Sequence, residues 1–148
     1  MNTRFPALAA LLLAVTGCQQ PAPDQGPDPK NELPFGFVES PASPPGEAAT
    51  VKKQLVVAGW AMDDQGVKEV RLFVDNKFVA RTAVNQLRPD VSKVYPNYAT
   101  SDKGFHGWAI TTTLGSVFAA GPHTLVVQAV DTQGATRDIG TVSVELER

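Results

Sequence analysis

The sequence predicts an all-β protein: a two-sheet sandwich of seven short antiparallel strands, with one long loop between strands four and five. Three observations carry this. Apolar residues recur at every second position, as in Val70-Leu72-Val74, Leu125-Val127-Ala129 and Val142-Val144-Leu146, which is the period of a strand with one buried face. Clusters of Gly, Pro, Asn and Asp separate these runs and supply turns. No segment after residue 33 keeps a helical period beyond a single turn.

The strands are preceded by a different kind of sequence. Met1 to Gly17 has a positive charge at Arg4, an apolar run from Ala7 to Val15, and small residues before Cys18. That is the layout of a secretory signal, and the run is far shorter than the ~20 residues of a spanning helix. Val15-Thr16-Gly17-Cys18 resembles the lipobox of bacterial lipoproteins. The resemblance implies cleavage between Gly17 and Cys18 and acylation of Cys18, the only cysteine in the chain. The alternative is an ordinary signal peptide with a chance cysteine. Gln19 follows, where an aspartate commonly marks retention at the inner membrane; the expectation is therefore an outer-membrane anchor if the source is Gram-negative. Residues 18–32 read as a lipidated cysteine and a tether. Pro21, Pro23, Pro27 and Pro29 alternate there with Asp24, Asp28, Lys30 and Glu32, and such a segment stays extended at ~3.1 Å per residue.

Residues 33–148 form the expected domain, and its elements follow in order. Phe35, Phe37 and Glu39 open a short strand that the cluster Pro41 to Gly46 closes. Gln54 to Met62, Val67 to Asp75 and Phe78 to Val84 are the next three strands, the last two joined by a tight turn at Asp75-Asn76-Lys77. Phe105 to Thr113, His123 to Asp131 and Arg137 to Glu147 complete the seven. The loop Asn85 to Gly104 is long for a compact domain. Within it Asp90 is expected to cap one helical turn that Pro96 stops, with Val91, Val94 and Tyr95 packed on the sandwich. Tyr98, Ser101, Asp102 and Lys103 are expected at its tip. The loop either covers a sheet edge or binds a ligand or partner.

Ala61-Met62-Asp63-Asp64-Gln65-Gly66 and Ala129-Val130-Asp131-Thr132-Gln133-Gly134 share one pattern. In each, the aspartate accepts from amides two or three residues on and the glycine supplies positive φ. Gly59 to Asp63 (Gly-Trp-Ala-Met-Asp), the loop Arg88 to Pro96, Gly104-Phe105 and Pro122 to Leu125 resemble an immunoglobulin-like domain common in bacterial surface and secreted proteins. That family implies a non-catalytic accessory module, and an immunoglobulin topology places both Asp-Gly turns at one end of the sandwich.

Three groups are candidates for chemistry. Asp63, Asp64 and Asp131 either approach the about 6–8 oxygens at 2.3–2.6 Å that Ca²⁺ requires, or each organises its own turn. Trp60 and Trp108 are a candidate binding pair, with Tyr98 in the loop. With Leu55, Val57, Gly59 and Ala61 facing the core, Trp60 faces out; with Phe105, Gly107 and Ala109 facing the core, His106, Trp108 and Ile110 face out. Two indoles on one outer face would form a sugar-stacking platform or a protein hot spot, unless Pro41–Gly46 or the long loop covers them. A one-residue slip inverts these assignments.

Catalysis has no basis in the sequence. His106 and His123 are the only histidines, and there is no nucleophile elbow, metal-ligand spacing or phosphate loop. No cofactor is expected. The net charge of −2 and the lack of a basic patch argue against nucleic acid. The expected function is a membrane-anchored, non-catalytic binding or scaffolding module of the bacterial cell envelope. It would meet the membrane through acyl chains on Cys18 and present its domain to a protein partner, or to glycan or peptidoglycan through exposed aromatics.

Overall fold

Alternation decides which face of a strand is buried, and backbone pairing decides its neighbours. The computed structural model describes residues 32–114 and 117–148; Gly17, Cys18 and nearly all of the tether lie outside them. Nine strands form two sheets among the described residues. The first sheet has the order β1 (Phe35–Ser40), β3 (Leu55–Met62), β7 (Phe105–Thr112), β6 (Gln86–Leu87). The second has the order β2 (Ala49–Val51), β9 (Thr136–Leu146), β8 (Gly121–Asp131), β4 (Val67–Val74), β5 (Lys77–Thr82). All pairs are antiparallel except β2 with β9, which is parallel.

The seven expected runs correspond to β1, β3, β4, β5, β7, β8 and β9. The two additional strands, β2 and β6, are three and two residues long, too short to show alternation. Their partners define them: β2 lies on β9, where Val51 accepts the Glu147 amide at 2.8 Å, and β6 lies on β7.

The core forms where the alternating faces meet. Leu55, Val57 and Ala61 from β3 meet Val70, Leu72 and Val74 from β4, Leu125, Val127 and Ala129 from β8, and Val144 and Leu146 from β9. The turn between β4 and β5 places Asp75 at φ 48° and Asn76 at φ 64°. These are the left-handed central residues of a two-residue hairpin whose twist matches that of its strands.

The parity expected for β7 is inverted. His106, Trp108 and Ile110 face the core and Trp108 is 0% exposed, whereas Phe105 is exposed. The strand carries apolar residues on both faces, so its own pattern does not choose between them. Pairing does: Trp108 stands opposite Gly59 and Trp60 opposite Gly107. Paired residues share a face. Gly59 faces the core, so Trp108 does too, and Trp60 is on the outer face.

Candidate functional site

The long loop crosses the outer face of the first sheet. Pro89 opens α1 (Pro89–Val94), a position where its fixed φ suits the helix and its missing N–H costs nothing. Arg88 rather than Asp90 is the N-cap. Asp90 instead accepts from Arg88 Nη2 at 2.7 Å, while Arg88 Nη1 and Nη2 each reach a Glu39 carboxylate oxygen at 2.9 Å. The guanidinium thus bridges the loop to β1, holding the Asp90 carboxyl down at about 2. Its side chain passes over Gly107, whose missing Cβ leaves room: a Cβ there would lie 3.0 Å from Arg88 Cγ. Of the apolar residues expected to pack beneath the helix, Val91 is buried and Val94 is exposed.

Beyond the helix the loop covers Trp60. Tyr95 lies 5.4 Å from the Trp60 ring, and Phe35 contacts Trp60, Tyr95 and Tyr98 edge-on at 6.0, 5.3 and 5.0 Å. Such pairs add about 0.5–1.5 kcal/mol each beyond area burial. Tyr98 is therefore not at a free tip; its phenol also donates to Glu32, which raises the phenol pKa. Asp102, expected at the tip, turns inward and accepts the Val67 amide at 2.9 Å. Asp102, Lys103 and Gly104 take positive φ in succession, and this bend returns the chain to β7. Burial raises the Asp102 pKa and lowers that of His106 beside it, so His106 is a neutral core residue.

The expected pair of exposed indoles does not form. Trp60 is half-buried beneath the loop and Trp108 is core. The indole N–H of Trp108 has no partner among the described residues, at a cost of about 1–3 kcal/mol. Burying an indole of order 200 Å² at ~25 cal/mol per Å² outweighs that.

The two Asp-Gly turns do meet at one end of the sandwich: the Thr132 amide donates to the Gly66 carbonyl at 3.0 Å, and the Thr132 hydroxyl to the Gln65 carbonyl at 3.2 Å. Asp63 accepts the Gln65 amide at 2.9 Å; Asp131 accepts the Gln133 and Ala135 amides, each at 2.8 Å. The Asp64 carboxylate takes the Gln65 side-chain amide at 3.1 Å. Among the described residues no group of three or more His, Cys, Asp or Glu is arranged to hold a metal ion; the bonds of Asp63 and Asp131 are those of the second alternative, in which each aspartate organises its own turn. Burial, with repulsion from Asp64 and Asp131, raises Asp63 to about 6.

His123 lies between Asp75 Oδ2 at 2.6 Å and the Ala119 carbonyl at 2.8 Å. Both ring nitrogens face acceptors, which favours the imidazolium and raises its pKa.

A further concave surface was not among the expected sites. It is a cleft of about 630 Å³ between the end of β1, the segment Pro41–Ala48 and β9. Phe37, Glu39, Pro44, Ile139, Thr141 and Ser143 are among its lining residues, and Phe37 is 57% exposed. Here the chain leaves the first sheet after Ser40 and joins the second at Ala49. β9 gains β2 as a partner only from Val144 onward, so residues 139–143 have no hydrogen-bonded strand on that side among the described residues. The sequence signals were the outward parity of Phe37 and the proline cluster after it, which reads equally as a plain turn.

No protein-family model matches the chain, and no curated protein matches it. Among solved structures, it is similar to the fibronectin(III)-like modules of Clostridium thermocellum CbhA, with 12% identity, 76% of this chain and 94% of that chain covered, and a TM-score of 0.48. It is also similar to a Niemann-Pick type C2 protein from the Japanese carpenter ant, with 10% identity, 82% and 98% covered, and a TM-score of 0.45.

Proposed function

We propose that this chain is a lipid-anchored, non-catalytic binding module of the bacterial cell envelope, an immunoglobulin-like sandwich that offers its β1–β9 cleft to an extended segment of a partner protein. The strand orders support the topology: β1-β3-β7-β6 against β2-β9-β8-β4-β5 corresponds to the A-B-E-D and G-F-C-C′ sheets of such domains, with β2 added beside β9. The lipobox-like Val15 to Cys18 supports the anchor.

The observation that carries the binding reading is the cleft itself. Phe37 lines it, and one wall is the β9 edge, which has no hydrogen-bonded strand at residues 139–143, with Val38 of β1 packed against Gly140. Such an edge pairs with an added strand, and flanking pockets read alternate side chains. A glycan reading stands second, favoured by the register of Phe37 opposite Trp60 on the outer face.

A photo-crosslinking amino acid placed at position 37, and for comparison at position 78 on the far sheet, tests the proposal in cells producing the full chain. A discrete protein adduct at 37 and none at 78 is expected, and Thr141→Pro should abolish it. Equal crosslinking at both positions would defeat the reading. A change in tryptophan fluorescence on titration with envelope polysaccharide, without a protein adduct, would replace it with the glycan reading.

A further inference from the structure

We infer that the β6 edge of the sandwich is a docking surface for an anionic lipid bilayer. This inference rests on the proposed anchor at Cys18 and adds an orientation to it. Leu87 and Phe105 are register partners on β6 and β7 and so share the outer face. Leu87 is 62% exposed, and Val94 on α1 is 68% exposed. Between β6 and α1 a groove of about 400 Å³ is lined by Leu87, Pro89, Ser92, Lys93 and Gly104.

Charge selects the occupant. Lys93 and Lys103 are exposed, and neither has an ion pair among the described residues. Acids near the loop have hydrogen-bond partners of their own, Asp64 on the Gln65 side-chain amide among them. Asp90 and Glu39 share Arg88, Asp102 takes the Val67 amide, and Glu32 takes the Tyr98 hydroxyl. The loop therefore turns its free cations outward beside protruding apolar side chains, the pattern of a surface that meets anionic headgroups and the acyl boundary.

The chain before the fold points the same way. It enters at Glu32, which is tied to Tyr98 of this same loop. Thirteen residues lie between Cys18 and Glu32, an extended reach on the order of 45 Å. A tether of that length keeps the loop within about 45 Å of the bilayer, which raises its effective concentration there. In the first sheet β6 and β1 are opposite edges, so docking by β6 turns the β1–β9 cleft away from the lipid.

The test uses the full chain with Cys18→Ser, carrying one environment-sensitive dye on a cysteine introduced at Val94 or, for comparison, at Phe78. Vesicles of phosphatidylcholine with phosphatidylglycerol carry a lipid-borne quencher; phosphatidylcholine alone is the control. Strong quenching at 94, weak quenching at 78 and dependence on phosphatidylglycerol are expected. Lys93→Glu with Lys103→Glu should raise the lipid concentration required by roughly tenfold or more, and Leu87→Ser should raise it severalfold. The apolar leader is common to both labelled chains, so contrast between positions reports the patch. Equal quenching at 94 and 78, or indifference to charge reversal, overturns the inference; a protein crosslinked at 94 in cells with no lipid contact would reassign the face to a protein partner. Mass spectrometry of the Cys18 peptide from the exported protein reads acylation separately, so loss of the anchor reading is distinguishable from loss of the docking surface.

Discussion

Trp108 Cζ2 lies 3.0 Å from where a Cβ on Gly59 would stand, across the β3–β7 pair. The missing Cβ makes room for the indole and for the Phe37 carbonyl of β1, which stands closer still to the same point. The next register pair reverses the arrangement on the other face, with Trp60 opposite Gly107 and the Arg88 side chain against that glycine. Each tryptophan faces a glycine, and the two tryptophans serve different parts of the molecule.

Trp108→Ala should therefore lower unfolding stability by about 3–5 kcal/mol, as large aromatic deletions in cores do. Trp60→Ala removes a half-buried ring from the loop cluster and should cost less, about 1–3 kcal/mol. Urea unfolding of both variants checks the order. A smaller loss for Trp108→Ala than for Trp60→Ala would contradict the register.

Asp63 gives stability an acid-side slope. Its pKa is raised from 3.8 to about 6 in the fold, so between those values the folded state retains a proton that the unfolded chain has released, and stability falls as pH rises through that window. Asp63→Asn keeps an oxygen for the Gln65 amide and removes the charge. Thermal melts from pH 4 to 7 should show a flatter profile for the variant and a higher melting temperature at neutral pH.

In the His123–Asp75 pair the imidazole works in the same sense as Asp63 and the carboxylate in the opposite one. The raised His123 pKa means that its contribution is complete below the ordinary value of 6.5 and is lost as pH rises through the folded value. The Asp75 carboxyl, depressed first by the Thr124 amide and then by His123, contributes above 3.8 and loses its contribution as pH falls through the depressed value. His123→Asn should remove the alkaline-side decline. Titration of the imidazole by NMR should give a value above that of the unfolded chain.

Arg88→Met should loosen the long loop without unfolding the sandwich. It removes the bridge between Glu39 and Asp90 while retaining much of the stem over Gly107. A loss of about 1 kcal/mol is expected for a surface network of this kind, with faster hydrogen exchange confined to the loop. Unchanged exchange at Tyr95 and Tyr98 would show that the aromatic cluster alone holds it.

Local chemistry was legible in the sequence, and long-range choice was not. The Asp63–Gly66 and Asp131–Gly134 turns close through bonds two to four residues apart, so their residues announce them. The Asp75-Asn76 hairpin does the same. The inward faces of β4 and β8 follow from alternation, because Val70, Leu72 and Val74, and Leu125, Val127 and Ala129, recur at every second position. β7 has apolar groups on both faces, and only its register with β3 decided that Trp108 is core and Trp60 is not. β2 and β6 hold too few residues to declare themselves and exist through the strands they join. Asp102 and Arg88 read as loop-tip or helix-start residues, but their partners Val67 and Glu39 lie 35 and 49 residues away. The cleft, too, arose from tertiary structure, since it opens where β1 and β9 part, and neither strand records the other in its own sequence.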